Sequence, residues 1–162
     1  MRGRLTLFTV SALLFVGGIG FTVAGARALR RPAASEATAL TPVGSVRQIM
    51  RGIVDPAATK VFGAVSTTVT AAGVEEKAPT TQADWDALAD SAAAIAEGGN
   101  LLLVGSRVVD DREWTTISRR MIEAGKKALA AAEAKNAEDV FASGETIYET
   151  CDTCHSKYRR TE

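Results

Sequence analysis

The sequence predicts an all-α protein, an antiparallel four-helix bundle preceded by an N-terminal signal or anchor helix. Three observations carry this reading. Four stretches repeat their apolar residues at helical spacing, and no Val/Ile/Thr-rich alternating run bounded by turns stands out. The composition, rich in alanine and only 6% aromatic, favours helix over sheet. Four amphipathic helices with short connections bury their stripes most simply against one another. A length of 162 residues allows one modest domain plus an appendage. The 19 basic and 19 acidic side chains balance, so nothing global attracts nucleic acid, and none is expected as a partner.

The appendage comes first. Arg2 and Arg4 give a short positive start, residues 5 to 26 carry no charge, and Ala24 and Ala26 form an A-x-A cleavage pattern. Residues 1–26 therefore read as an export signal or a retained membrane anchor, placing the protein in the periplasm. The apolar run, about 20 residues, is long enough to span a bilayer. Arg27, Arg30 and Arg31 crowd its far side, where positive charge hinders translocation. Cleavage would leave a soluble protein, and retention one tethered to the inner membrane. Residues 27–42 read as a linker, since "PAASEATALTP" is small, polar and bracketed by prolines.

Residues 43–162 hold the four helical stretches. In "VGSVRQIMRGIVDPAATKVFGAVSTTV", Val46, Ile49, Met50, Ile53, Val54, Ala57, Val61, Ala64 and Val65 lie close to one helical stripe. Pro56 interrupts it by clashing with the carbonyl of Gly52, which predicts a kink; alternatively Asp55 caps a fresh helix with Pro56 at its first position. "AAGVEEKAPT" reads as a loop solvated by Glu75 and Glu76. Thr80 or Thr81 then caps "QADWDALADSAAAIAEGGNLLLV". "GSRVVDD" leads to "REWTTISRRMIEAGKKALAAAEAK". Asn136 starts the last helix, "AEDVFASGETIYETCDTCHSKYRR", with Glu138 and Asp139 favouring its N-terminus.

That last helix holds both cysteines and the only histidine of the chain. Its inward positions run Val140, Gly144, Ile147, Cys151, Cys154 and Tyr158, with Phe141, Tyr148 and His155 in a second row beside them. Residues three and four apart share a helix face, so Cys151, Cys154 and His155 are expected to project together into the interior. Two thiols one turn apart can add across the two vinyl groups of a haem, with the neighbouring histidine held under the iron. C-x-x-C-H is the attachment signature of c-type haem, and histidine is a usual proximal ligand. Gly144 would let a porphyrin or a neighbouring helix approach closely. Export agrees with this reading, because covalent haem is a feature of exported bacterial cytochromes.

Three other uses of the motif fit less well. A thioredoxin-like C-x-x-C sits at a helix N-terminus after a strand, whereas a dozen helical residues precede Cys151. Structural zinc needs four ligands, and two cysteines with one histidine fall short unless a carboxylate or a second chain contributes. A disulfide within a helical C-x-x-C is strained and leaves His155 without a role.

With these residues in view, the chain resembles the class II c-type cytochromes, the cytochrome c′ family of exported four-helix bundles with the haem motif near the C-terminus. The resemblance covers roughly residues 43 to 160. Its specific parts are "CDTCHSKYR", with Tyr158 and Arg159 after the histidine, and "VRQIM" in the first helix. It implies one covalently attached haem c per chain, with Cys151 and Cys154 as thioether attachments and His155 as proximal ligand. It also implies Arg159 near the proximal face and Arg47 near a haem propionate. Family members are often homodimers through their first two helices. Asp55-Pro56 in the first helix and the long apolar N-terminus depart from the soluble members.

The sixth iron position separates two functions within that family. Members with methionine there are one-electron carriers exchanging electrons with redox partner proteins. Members with an apolar residue there bind nitric oxide or carbon monoxide. Met50, three residues after Arg47, is the candidate ligand; in several members the distal residue lies four after that arginine, here Arg51. Ordinary core packing is the competing role for Met50. Met121 is a weaker candidate. Trp85 and Trp114 read as core anchors. Arg119, Arg120, Lys126 and Lys127 read as a solvated face or a docking surface for an acidic redox partner. No Ser-His-Asp set, phosphate loop or catalytic carboxylate pair is present, so an enzyme is not expected.

Overall fold

The computed structural model describes residues 40–110 and 112–159. The signal or anchor segment and the linker up to residue 39 lie outside the described residues. No described helix is long and apolar enough to cross a membrane.

Ser45 ends the extended lead-in and opens α1, Val46–Ile49. Its hydroxyl accepts the Gln48 N–H at 3.3 Å, and the Gln48 side-chain oxygen accepts the Ser45 N–H at 2.9 Å. This reciprocal box satisfies donors that a helix start leaves unpaired. The next turn answers the proline. Pro56 has no N–H, and in a regular helix its ring would meet the Gly52 carbonyl. The chain widens instead, with Met50–Val54 forming a π turn in which Asp55 N–H donates to the Met50 carbonyl. The α2 helix, Asp55–Phe62, then carries Pro56 in its first turn. Asp55 does not cap a fresh helix, because it and Val54 before it both hold helical dihedrals and the rod runs through them without a break. The three segments make one helical rod, residues 46–62.

The rod ends at Phe62, short of the "STTV" that the sequence assigns to the same helical stretch, and those residues turn to strand. β1, Ser66–Thr70, pairs antiparallel with β2, Gly73–Lys77, in the register Ser66 to Lys77 and Thr70 to Gly73. This corrects two expectations, that the chain lacks strands and that Glu75 and Glu76 lie in a loop. The run Thr67-Thr68-Val69-Thr70 has high strand propensity, and Gly73 takes the positive φ (136°) that ends the two-residue turn. Apolar alternation could not reveal the hairpin because neither of its faces is buried. Lys77 Nζ donates to the Gly63 carbonyl at 2.6 Å, pinning its base to the end of the rod.

Thr81 caps α3, Gln82–Leu102, in a second reciprocal box with Asp84. A 3₁₀ turn, Gly105–Arg107, leads to α4, Glu113–Glu133, and Asn136 caps α5, Ala137–Tyr158. The molecule is therefore mostly helical with one small two-stranded sheet. The α3 helix packs along α4, and α4 along α5. The whole rod lies against α3, while its α2 portion also reaches α5. Ile95, Val140 and Ile147 are the largest fully buried side chains, and Trp85 and Trp114 are buried among the core residues as expected of anchors.

The contacts closest to backbone run through glycine. A Cβ on Gly125 would stand 2.6 Å from the Ala96 nitrogen and 2.9 Å from its Cα, where no flexible group can yield. A Cβ on Gly52 would meet nothing within 4 Å. Gly125→Ala should therefore destabilise the fold by about 1–3 kcal/mol through overpacking. Gly52→Ala should be neutral or stabilising by roughly 0.5–1 kcal/mol, since it stiffens the unfolded chain and adds helix propensity. Urea denaturation of both variants beside the parent checks the opposite signs.

Candidate functional site

The α5 helix is held at both ends, and its cysteines lie between the two ties. At its start the Asn136 side chain accepts the Asp139 N–H at 3.2 Å, and Glu138 and Asp139 sit where the helix dipole favours negative charge. Along its length Val140, Ser143, Ile147 and Thr150 are buried, while Gly144, Cys151, Cys154 and Tyr158 are half-buried. The inward row expected from the sequence is thus present, with its C-terminal half less deeply covered.

The second row departs from expectation. Phe141 is 65% exposed, Tyr148 is 64% exposed, and His155 is exposed as well. At about 100° per residue, Cys151 and Cys154 straddle the core-facing line, and His155 falls some 40° beyond Cys151. The motif therefore splits, with two thiols on the core edge and an imidazole on the adjoining open face, rather than three groups pointing inward. Gly144 is also not a point of close backbone approach. A Cβ there would meet only the Phe62 ring, at an ordinary 3.7 Å.

Both thiols are free, and burial pushes both up from their usual range; proximity to Cys151 raises Cys154 further. That is the reverse of the lowered thiol that a thioredoxin-like site needs. Among the described residues no three His, Cys, Asp or Glu side chains group as ligands for a metal ion.

A cluster of polar and aromatic contacts fixes the C-terminal end of α5. Asp110 accepts the N–H groups of Arg112, Glu113 and Trp114 through Oδ1, at 3.2, 2.7 and 3.0 Å, and so caps α4. Its other oxygen accepts the hydroxyl of Tyr158. The Tyr158 ring meets Trp114 edge-on, with centroids 5.1 Å apart, and Trp114 Nε1 donates to the Leu102 carbonyl at 2.9 Å. Lys157 pairs with Glu113 one residue along. The Tyr158 bond holds the Asp110 carboxyl below its ordinary value, and the same bond pushes the Tyr158 phenol up to about 12. Sequence reasoning placed Tyr158 inward but passed over Asp110. The available signal was Asp110-x-x-Glu113 ahead of an apolar-periodic run, a capping pattern.

The remaining candidates are spread over other elements. Met50 opens the π turn and is half-buried against the edge of the core, as are Cys151 and Tyr158. Arg47 is exposed on α1, whose main packing partner outside the rod is α3, and Gln48 beside it is engaged in the capping box. Arg51 is exposed, and Met121 is buried in the core. Arg159 terminates α5 in extended conformation, its N–H donating to the His155 carbonyl at 3.1 Å. Arg119, Arg120, Lys126 and Lys127 are placed along α4, with Lys126 paired to Glu123.

This donor set fits a haem attached through the C-x-x-C-H motif. Two free thiols one turn apart flank the core edge, and an imidazole stands beside them on an open face. On that face Phe141 and Tyr148 expose aromatic surface to water, and Phe62 of the rod (43% exposed) lies against Gly144. An apolar plate lying there would cover surface that is otherwise costly to leave wet. Comparisons with protein-family models, curated proteins and solved structures find no match to the chain.

The Asp110–Tyr158 tie sets a pH dependence at both extremes. Asp110 is depressed in the folded state, so its contribution is present above the ordinary carboxylate value of 3.8 and is lost as pH falls through its lower folded value. Tyr158 is raised, so its contribution holds up to pH 10. It declines from there to about pH 12 as the unfolded phenol ionises first. Thermal melts across pH should show Tyr158→Phe losing part of this alkaline decline and starting from a lower melting temperature at neutral pH.

Proposed function

We propose that this chain is an exported c-type haem protein that carries single electrons. Haem c would be held by thioethers to Cys151 and Cys154 and by the His155 imidazole on iron. The observation that carries the reading is the C-x-x-C-H sequence on one helix, with its thiols on the core edge and its histidine on the adjoining open face. A bound haem supplies a ferric/ferrous couple. The chain's own residues do the rest. The two thiols anchor the group to α5, His155 offers a nitrogen to the iron, and Phe62, Phe141 and Tyr148 provide apolar surface to exclude water.

We take the rod, α3, α4 and α5 as the four members of an antiparallel bundle, the architecture the resemblance to cytochromes c′ implies. Export to the periplasm, tethered or soluble, follows from the N-terminal sequence in this reading. Redox partner proteins are the expected partners, and the basic residues of α4 would suit an acidic one. Homodimers belong to the reading only through the resemblance.

Met50 is assigned as the sixth ligand. It begins a π turn, a feature that in helices recurs at functional sites, and it is half-buried rather than sealed in the core. Its packing against the core favours the second reading, an iron left open to nitric oxide or carbon monoxide.

Two experiments test this. Protein exported from a host that supplies haem-attachment machinery should stain for haem after denaturing electrophoresis. Cys151→Ala with Cys154→Ala should abolish the stain, and His155→Ala should alter the visible spectrum of whatever haem remains. A double variant with normal haem content would overturn the assignment. For the sixth position, wild type should be low-spin with little carbon monoxide binding. Met50→Leu, nearly equal in volume, should make the iron high-spin, lower the reduction potential and admit gas. A high-spin wild type that binds carbon monoxide would replace electron transfer with gas binding.

A further inference from the structure

We propose that Asp110 and Tyr158 form a positioning device for the motif, setting the last turn of α5 and through it the attitude of His155. Four observations converge on that turn. Tyr158 follows Cys154 by four residues and His155 by three, so its side chain shares their turn. Its hydroxyl is bonded to Asp110, a residue made rigid by three backbone N–H bonds from the start of α4. Its ring is seated edge-on against Trp114, which is itself buried and bonded to the end of α3. The Lys157–Glu113 pair adds a second link from the same turn to the same helix start.

The physical need for such a device lies at the helix end. The final carbonyls of a helix lack intrahelical partners, so last turns fray, and His155 lies within four residues of the end of α5. The His155 side chain is exposed, so neighbouring side chains do not wall it in. The backbone of its turn therefore sets where the imidazole leaves the helix, that is, the position and direction of its Cα–Cβ bond. In that turn the Arg159 N–H closes on the His155 carbonyl, and Tyr158, lying between the two in sequence, ties the turn to Asp110 at the start of α4. Trp114 and the α4 cap transmit the constraint to α3 and α4, so the backbone beneath an exposed imidazole is tied to the core.

The device is independent of what His155 binds; only its spectroscopic consequence rests on the haem reading. The test uses full-length exported protein with Tyr158→Phe, which keeps the ring and removes one hydroxyl, and Asp110→Ala, which removes the acceptor and the cap. Asn136→Ala, which weakens the far end of the same helix, is the control. Amide hydrogen exchange over residues 150–159 should speed about fivefold in Tyr158→Phe, the loss of one net hydrogen bond, and at least as much in Asp110→Ala. Asn136→Ala should leave that segment unchanged. In haem-bearing protein the two variants should also shift the midpoint potential or the axial-ligand bands of the visible spectrum, and the control should not. Exchange and spectra of Tyr158→Phe matching those of Asn136→Ala would overturn the proposal. Faster exchange in Tyr158→Phe, in protein whose wild type carries no covalent haem, would sustain the device and remove the haem reading.

Discussion

Two adjacent glycines in α3 admit the helices on either side of it. A Cβ on Gly98 would stand 2.6 Å from a methyl of Val54 in the rod. One on Gly99 would stand 2.7 Å from Ile122 and 3.0 Å from the Ser118 carbonyl of α4. Neighbouring residues point about 100° apart around a helix, so the pair receives one partner on each of two faces. Gly125 on Ala96 repeats the arrangement one turn further along the α3–α4 seam. Small residues thus replace large ones where backbones approach, and the larger side chains are left to fill the space around them.

The position of α5 follows from that seam. It leans on α4 along its length and meets α2 at Gly144 and Phe62. The α4 helix is capped by Asp110, and Asp110 also receives Tyr158, so one carboxylate serves a helix start and a helix end. Between these ties α5 presents a sealed row through Val140 and Ile147, and beside it an open row of Phe141, Tyr148 and His155. Cys151 lies at the boundary. The two thiols thus stand on the covered side of the helix and the imidazole on the exposed side, the arrangement on which the proposed function rests.

The rod shows how one residue shapes a neighbouring element. Pro56 removes a donor and a steric allowance together, and the chain answers by widening the turn that begins at Met50. A sequence feature that first reads as a helix breaker thereby sets the local geometry of the candidate sixth ligand. The exposed hairpin after the rod has no such coupling. It is tied at its base through Lys77 and presents its valines, Val69 and Val74, to solvent.

The sequence by itself determined the helices with buried faces, caps at Asn136 and at Thr80 or Thr81 (Thr81 in the structure), and the placement of C-x-x-C-H on the last helix. Helical periodicity and capping chemistry are local, and a linear reading captures both. The hairpin escaped that reading because an element exposed on both faces carries no burial pattern, only propensity. The inward row of α5 was legible too, and only the tertiary structure decided how far around the helix its cover extends. Spacing places Cys151, Cys154 and His155 within one broad sector, but the positions of α2 and α4 determine where core ends and solvent begins. That boundary falls between the thiols and the imidazole. It also brought Asp110 to Tyr158 across 48 residues of chain, a contact that depends on the packing of α5 against α4 and on no local pattern.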